Sequence, residues 1–346
     1  MSEKRKGRTT KVERFSVKSD FSLDLLFEKF YHSKVAEGRK ERTLESYREN
    51  YKFLTDYLDS RGIGRDVRNV TSDLIRDYIV WMLNEKVRFE GSKYGPKAEQ
   101  PVGISAASAN IRIKSIKTMF KFLYEEGIIE ESPFKSIKKV TEDDNEIIIL
   151  TVEQLKALLK APNQRRYTGF RDAVLMNFLL DGFFRINEAL SLRRADIDFD
   201  QCMVTMRAEE TKTRRSRTIP LQKRTIALLE ELIKENEDFD SEYVFLANYG
   251  EQLTATQFRH RLRDHAINAG IKRRVHPHLF RHTAATMALE AGMDVRHLQM
   301  MLGHRDLRMV MRYTHLSKAS LQIQHDRYSP LNEVVGKLER DRKTLR

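Results

Sequence analysis

The sequence is poor in cysteine, in long apolar runs and in acidic balance. Cys202 is the only cysteine in 346 residues, which excludes an intrachain disulfide framework and a thiolate metal cluster. It stands between Gln201 and Met203 in an apparent strand, where the expected role is that of a small buried residue. No apolar run approaches the roughly 20 residues needed to span a bilayer. The opening MSEKRKGRTTKVERFSVKSD has no apolar core of the signal-peptide kind, so a cytoplasmic protein is expected. Acidic residues number 50 against 63 lysines and arginines, leaving a formal charge of +13. An excess of that size favours a polyanionic partner, of which nucleic acid is the commonest; the plainer reading is a generally basic protein.

What is present suits a folded chain. Hydrophobic residues make up 40% and charged residues 33%, a globular composition with a heavily charged surface. The length accommodates two domains with a core each. Residues 1–20 are basic and offer little to bury, so they read as a disordered arm.

A first, helical unit is expected over residues 21–138. In TLESYRENYKFLTDYL, Leu44, Tyr47, Tyr51, Leu54 and Leu58 recur at steps of three and four, one buried helical face. SAASANIRIKSIKTMFKFLYEEG repeats the pattern with Ile113, Ile116, Phe120 and Leu123, and Gly127 supplies a stop. On another face of that helix Asn110, Lys114, Lys117 and Lys121 form a polar, cationic stripe. Such a stripe is either an ordinary solvated face or a DNA-binding one. Residues 86–103, rich in Gly, Pro and charge, read as a long connection. A polar linker is expected over 139–148, centred on VTEDDNE.

The second unit is expected over 149–330. Thr151 and Gln154 stand at capping-box spacing, a helix start. Helices follow through RDAVLMNFLLDGFFRINEALSL, then IDFDQCMVTMRAEETKTRRSRTIPL reads as a β-hairpin around a charged turn. Helices fill most of the remainder. The fold class is therefore mainly α with a small antiparallel β-sheet. Residues 331–346 form a charged tail in which Leu331, Val334, Val335 and Leu338 have near-helical spacing, suited to packing on a neighbouring subunit.

The segment LGHRDLRMVMRYTHLS carries Tyr313 among His304, Arg305, Arg308, Arg312 and His315. A free phenol has a pKa near ~10, so about one in a thousand is ionised at neutral pH. A reacting tyrosine would need help from elsewhere in the chain. Three readings compete. His278 and His282, four apart with His276 nearby, have a zinc-like spacing, but Arg281 would sit beside the metal and no carboxylate or cysteine stands at ligand spacing. The punctuation by Gly292-Met293-Asp294 and Gly303-His304 suits a helix-turn-helix, which leaves the histidines and Tyr313 unused. The third reading employs them all: Arg185 in FFRINEAL, Lys212 in TKTRRSRTIPL, His278-Leu279-Phe280-Arg281 as H-x-x-R, His304 in LGH, and Tyr313 nine residues later.

That ordered set resembles the tyrosine recombinase (phage integrase) family, across the whole second unit, with the first unit similar to the family's helical core-binding domain. The resemblance implies a DNA strand transferase acting without a cofactor or metal. Tyr313 would be the nucleophile forming a 3′-phosphotyrosyl link, Arg185 and Arg281 would clamp the phosphate, and His304 would donate a further hydrogen bond. Lys212 would be the general acid for the leaving oxygen, and His278 would assist proton transfer from the phenol. His282 is left out of this set and read as packing or hydrogen bonding within the fold. The implied partners are double-stranded DNA carrying a recombination site and three further copies of the chain, a homo-tetramer working through a four-way junction, with room for a directionality factor. Such a protein would be nucleoid-associated when bound, and integration, excision or transposition of a mobile element is the expected role. One departure is visible: where the family has a Gly-rich turn before its first arginine, Gly182 is followed here by Phe183 and Phe184. A type IB topoisomerase-like nicking-closing enzyme and a non-catalytic DNA-binding regulator remain as alternatives.

Overall fold

The computed structural model describes residues 21–88, 101–142, 149–211, 215–304, 306–311, 313 and 325–334. The chain divides into two compact units, residues 1–145 and 146–346, the break falling within the polar VTEDDNE segment. Among the described residues the fold is mainly α, with one three-stranded antiparallel sheet. Among the described residues no helix is long and apolar enough to cross a membrane.

The first unit is built from α1 (Leu23–Ala36), α2 (Glu41–Ser60), α3 (Ser72–Asn84) and α4 (Ala106–Glu125). The periodic apolar faces meet as expected: Leu44, Tyr51, Leu54 and Leu58 of α2 are buried, as are Ile113, Ile116, Phe120 and Leu123 of α4. Aromatic rings fill much of this core, with Phe27 stacked on Tyr51 at 4.0 Å. The long connection is pinned where it leaves and returns: Val87 bridges Val102, and the Gly103 amide donates to the Lys86 carbonyl at 2.8 Å.

In the second unit, α5 (Val152–Lys160) begins with the capping box anticipated at Thr151 and Gln154. Helix α6 (Tyr167–Asp181) runs through the centre of the core, with Val174, Leu175, Met176, Phe178 and Leu179 fully enclosed. It also buries Asp172, which is held by Arg171 at 2.7 Å, by His265 at 2.9 Å and by Arg261. Burial raises the Asp172 pKa, and the His265 hydrogen bond with the charges of Arg171 and Arg261 reverses that, so the carboxyl stays ionised below the usual range. After α7 (Ile186–Leu190) come β1 (Ile197–Asp198), β2 (Met203–Met206) and β3 (Arg217–Pro220). Ile197 pairs with Val204 and Val204 with Ile219, so one cross-strand row points into the core. Cys202 is not in a strand: it occupies the β1–β2 turn with φ +53, half-buried. Helices α8 (Lys223–Glu235), α9 (Ala255–Asn268), α10 (Pro277–Glu290), α11 (Val295–Leu302) and α12 (Arg308–Met311) follow, and Leu331–Val334 forms a short helical turn. Residues 1–20 and the greater part of the 331–346 tail lie outside the described residues.

Candidate active site

Arg185 is the residue before α7, and the first turn of that helix brings Glu188 back to it. The Glu188 carboxylate accepts from the Arg185 amide at 3.1 Å and from Arg185 Nη1 at 2.8 Å. The second partner of Glu188 is Arg217 at the start of β3, whose Nη2 donates at 2.6 Å. Glu188 is 2% exposed. Burial pushes its carboxyl pKa up, and the hydrogen bond and charge of Arg217, with the charge of Arg185, more than reverse this. Arg217 also donates through Nε to the Met301 carbonyl at 3.2 Å. Strand β3 is thereby tied both to α7 and to the end of α11.

Helix α11 stops at Gly303, which has φ +62 and receives Arg217 closely: a Cβ there would lie 3.1 Å from Arg217 Nη1. The left-handed residue ends the helix and turns the chain so that His304 faces the arginines. His304 is fixed by its own backbone, its amide donating to Gln299 O at 3.2 Å and its carbonyl accepting from Gln299 Nε2 at 3.1 Å. Its Nε2 lies 3.0 Å from Arg281 Nη2. A guanidinium only donates, so Nε2 is the acceptor and the neutral ring carries its proton on Nδ1. Burial first, then Arg281, Arg185 and Arg217, push the His304 pKa down to about 4.

Arg281 comes from the first half of α10, which opens with Pro277 at its start. Only 3% exposed, Arg281 donates to the carbonyls of Phe183 and Leu302, each at 2.6 Å. Burial and then the Arg185 charge lower its pKa to about 9, which leaves it protonated at neutral pH. His278, one turn before His282, is open to solvent on one side. Partial burial, His276 and the charges of Arg281, Arg185 and Arg259 lower its pKa. Among the described residues, the carboxylate bonded to this arginine group is Glu188 alone, and Arg217 Nη1 and His304 Nδ1 are buried without a hydrogen-bond partner. Three guanidiniums with one carboxylate and two idle N–H groups leave room, electrostatically, for a second oxyanion.

Tyr313 is 6% exposed and packs with Phe183, Ala284, Ala285, Leu289, Leu298, Leu302 and Val310. Its hydroxyl lies 2.9 Å from His282 Nδ1. The histidine hydrogen-bonded to the phenol is thus His282, which the sequence reading expects to pack or hydrogen-bond within the fold. Arg217, which the sequence offers beside Arg214 and Arg215 as an alternative cation to Lys212, is the residue bonded to Glu188. Lys212 falls outside the described residues.

The departure at Gly182-Phe183-Phe184 has a definite form. Phe183 adopts φ +54, a conformation that costs a non-glycine residue roughly 1–2 kcal/mol. Gly182 is required by its neighbour, because a Cβ there would sit 1.9 Å from the Phe184 ring, itself stacked on Phe178 at 4.1 Å. The strained Phe183 carbonyl is an acceptor for Arg281, so the turn still serves the site.

The stripe on α4 is divided in use. Asn110 Oδ1 accepts from the Val140 amide and Nδ2 donates to the Val140 carbonyl, both at 2.9 Å, with Glu142 at 2.6 Å. Its carboxamide is therefore spent on the segment leading out of the first unit. Lys114, Lys117 and Lys121 are exposed, and Lys121 pairs with Glu125 at 3.4 Å. Of the histidines read as zinc-like, His282 bonds Tyr313, and among the described residues no group of three His, Cys, Asp or Glu could hold a metal ion.

Comparison with known proteins bears on this geometry. The model of the phage integrase family matches residues 149–320, and that of the phage integrase SAM-like domain matches residues 25–140. Tyrosine recombinase XerC of Chlamydia trachomatis serovar L2 is 31% identical over 225 residues, 64% of this chain and 70% of that protein. Tyrosine recombinase XerD of Pseudomonas aeruginosa is 28% identical over 301 residues, 86% of this chain and 94% of that protein. Among solved structures, the Tn1549 transposon integrase in complex with a circular intermediate DNA shares the fold with a TM-score of 0.69 at 19% identity, covering 89% of this chain and all of that one. The XerH site-specific recombinase bound to palindromic difH substrate does so with a TM-score of 0.64 at 20% identity, over 88% of this chain and 84% of that one.

Proposed function

We propose, on the premise that the chain belongs to the phage integrase family and is a tyrosine recombinase, that it recombines double-stranded DNA at a specific site through a 3′-phosphotyrosyl link on Tyr313. The observation that carries this reading is the under-neutralised group of Arg185, Arg217, Arg281 and His304 beside a buried tyrosine. A DNA phosphodiester is an oxyanion of the kind that group lacks. Guanidiniums suit it because they stay charged and offer parallel donors.

In this mechanism Arg185 and Arg281 hold the nonbridging oxygens while His304 gives a further hydrogen bond. Phosphate binding supplies negative charge to a pocket that now depresses the His304 pKa to about 4, so His304 gains basicity as the substrate enters. One preorganised donor of this type contributes on the order of 3 kcal/mol to lowering the barrier. The phenol oxygen of Tyr313 attacks phosphorus, the bond to the 5′ oxygen breaks, and Lys212 protonates that oxygen. His278, in the field of Arg281 and Arg185, is the residue that the family likeness offers for the phenol proton. The phosphotyrosyl ester conserves the bond energy, so a 5′-hydroxyl of another strand can reverse the step without ATP.

By likeness to its relatives, the chain would act as a homo-tetramer exchanging strands through a four-way junction, its two units closing on the duplex and its tail from residue 331 reaching a neighbour. The DNA-bound structures that share its fold, a transposon integrase among them, support a DNA partner and favour integration, excision or transposition of a mobile element, with a directionality factor setting the outcome. The test is a nicked suicide substrate built from the DNA flanking the gene. Wild-type protein should accumulate a covalent adduct and Tyr313→Phe none. An undiminished adduct with the variant removes Tyr313 from the reaction, and relaxation of plain plasmid in place of recombination between paired sites would make the chain a nicking-closing enzyme.

A further inference from the structure

His278, Arg281 and His282 occupy one turn and a step of α10, and each faces a different part of the pocket. Arg281 is directed at His304, Phe183 and Leu302. His278 lies in the field of Arg185 and Arg259. His282 has its Nδ1 2.9 Å from the hydroxyl oxygen of Tyr313. The two rings are tilted by 44° with centroids 5.5 Å apart, so the contact is a hydrogen bond and not a stack.

We propose that His282 is the catalytic group that holds the Tyr313 hydroxyl and takes its proton as the phenol oxygen attacks phosphorus. This rests on the reading of Tyr313 as the nucleophile, and it assigns the proton to a residue outside the set expected from the sequence. The geometry requirement for a general base is contact within hydrogen-bond reach of the proton it removes, which His282 meets before substrate arrives. In the forward step the Tyr313 O–H bond breaks and the proton goes to His282 Nδ1. The new bond joins the phenol oxygen to phosphorus, and the bond from phosphorus to the 5′ oxygen breaks with its electron pair leaving on that oxygen, which Lys212 protonates. In the reverse step the 5′-hydroxyl attacks phosphorus and gives its proton back to Lys212, the bond from phosphorus to the phenol oxygen breaks, and His282 returns its proton to that departing oxygen.

The placement has a mechanical basis as well. His282 is next to Arg281, whose guanidinium is bolted to two backbone carbonyls. The residue that clamps the phosphate and the residue that deprotonates the attacking oxygen therefore move as one rigid turn of helix. Tyr313, seated against Phe183, Leu298, Leu302 and Val310, approaches that turn from the other side.

The experiment measures single-turnover adduct formation on the nicked suicide substrate with wild type, His282→Asn and His282→Phe. Asparagine keeps a polar atom near the position of Nδ1 but takes no proton; phenylalanine keeps the ring and has neither. Both variants should form adduct about 100-fold more slowly or worse, the usual range for loss of a general base being 10²–10⁴, while DNA affinity and melting temperature stay at wild-type values. The same defect should persist on a substrate whose 5′ bridging oxygen is replaced by sulfur, a leaving group that needs no protonation. A rate for His282→Asn within about threefold of wild type would overturn the proposal by reducing His282 to a positioning residue. Rescue by the sulfur substrate would overturn it by placing His282 on the leaving-group side. If wild-type protein itself forms no adduct, the reading of Tyr313 fails, a result separate from either outcome above.

Discussion

Substituting Glu188→Gln tests how the arginine group is held together. The carboxylate is 2% exposed and lies 2.8 Å from Arg185 and 2.6 Å from Arg217. The amide preserves volume, so no cavity opens and the change is one of charge. Removing one partner from a buried ion pair costs about 3–5 kcal/mol, because the remaining charges stay buried without compensation. In a folded unit of this size each kcal/mol lowers the melting temperature by about 2–4 °C, which predicts a fall of roughly 6–20 °C. The sign reverses for anion binding. With the carboxylate gone, a sulfate or phosphate meets the three arginines without a competing negative charge. At an effective dielectric of 20 and a separation of about 7 Å, that charge alone is equivalent to ~2.4 kcal/mol. Thermal melts in sodium sulfate, against sodium chloride of equal ionic strength, should therefore show a larger anion-induced rise in the variant than in wild type. The adduct-forming rate should nevertheless fall, since Arg185 and Arg217 lose the acceptor that orients them. A variant that melts within about 2 °C of wild type, with no extra response to sulfate, would refute the idea that Glu188 holds these guanidiniums against their mutual repulsion.

Three further outcomes are expected. Asn110→Ala should leave sequence preference on DNA intact while speeding hydrogen exchange at the Val140 amide, because the partner removed is a backbone and not a base; relaxed preference at a base pair would contradict this. If the exposed Lys114, Lys117 and Lys121 neutralise phosphates, replacing all three by Gln should make the salt dependence of DNA binding shallower, by about 0.9 in slope for each phosphate left without its lysine. An unchanged slope would assign them to plain surface. His304, whose pKa is lowered from 6.5 to about 4, binds protons more readily in the unfolded chain. Its contribution to stability is complete above about pH 6.5 and is lost as pH falls toward 4, by at most about 3 kcal/mol given its partial exposure. Urea melts of wild type and His304→Gln between those limits should diverge with that sign, and parallel curves would contradict it.

Much of the fold is legible in the sequence because its elements announce themselves locally. Helices α2 and α4 carry unbroken apolar faces, and Thr151 with Gln154 marks a helix start three residues apart. Strand β1, Ile197–Asp198, is two residues long and offers no alternation to read. The turn at Cys202 escapes notice because flanking β-like residues conceal its positive φ. The site divides in the same way. Arg185 with Glu188 and His278 with Arg281 are near in sequence and stand out as motifs. Arg217 reaches Glu188 across 29 residues and His282 reaches Tyr313 across 31, and spacing carries no signal over such distances. One clue is available for Arg217. It alternates with Ile219 on the inward side of β3, and an arginine facing a core requires a buried carboxylate.

Phe183 ties two things that a glycine would have kept separate. Its strained backbone aims a carbonyl at Arg281, and its ring forms part of the wall behind Tyr313. A change to glycine would relax the turn by about 1–2 kcal/mol and at the same time remove a buried aromatic worth about 3–5 kcal/mol. The net loss means that Phe183→Gly would destabilise the unit even though it relaxes the turn. A larger residue in place of Ala284 or Ala285, which share its cluster, would be needed to refill the space. The loop that holds Arg281 and the seat of Tyr313 are in that sense one unit, coupled through a single side chain and its carbonyl.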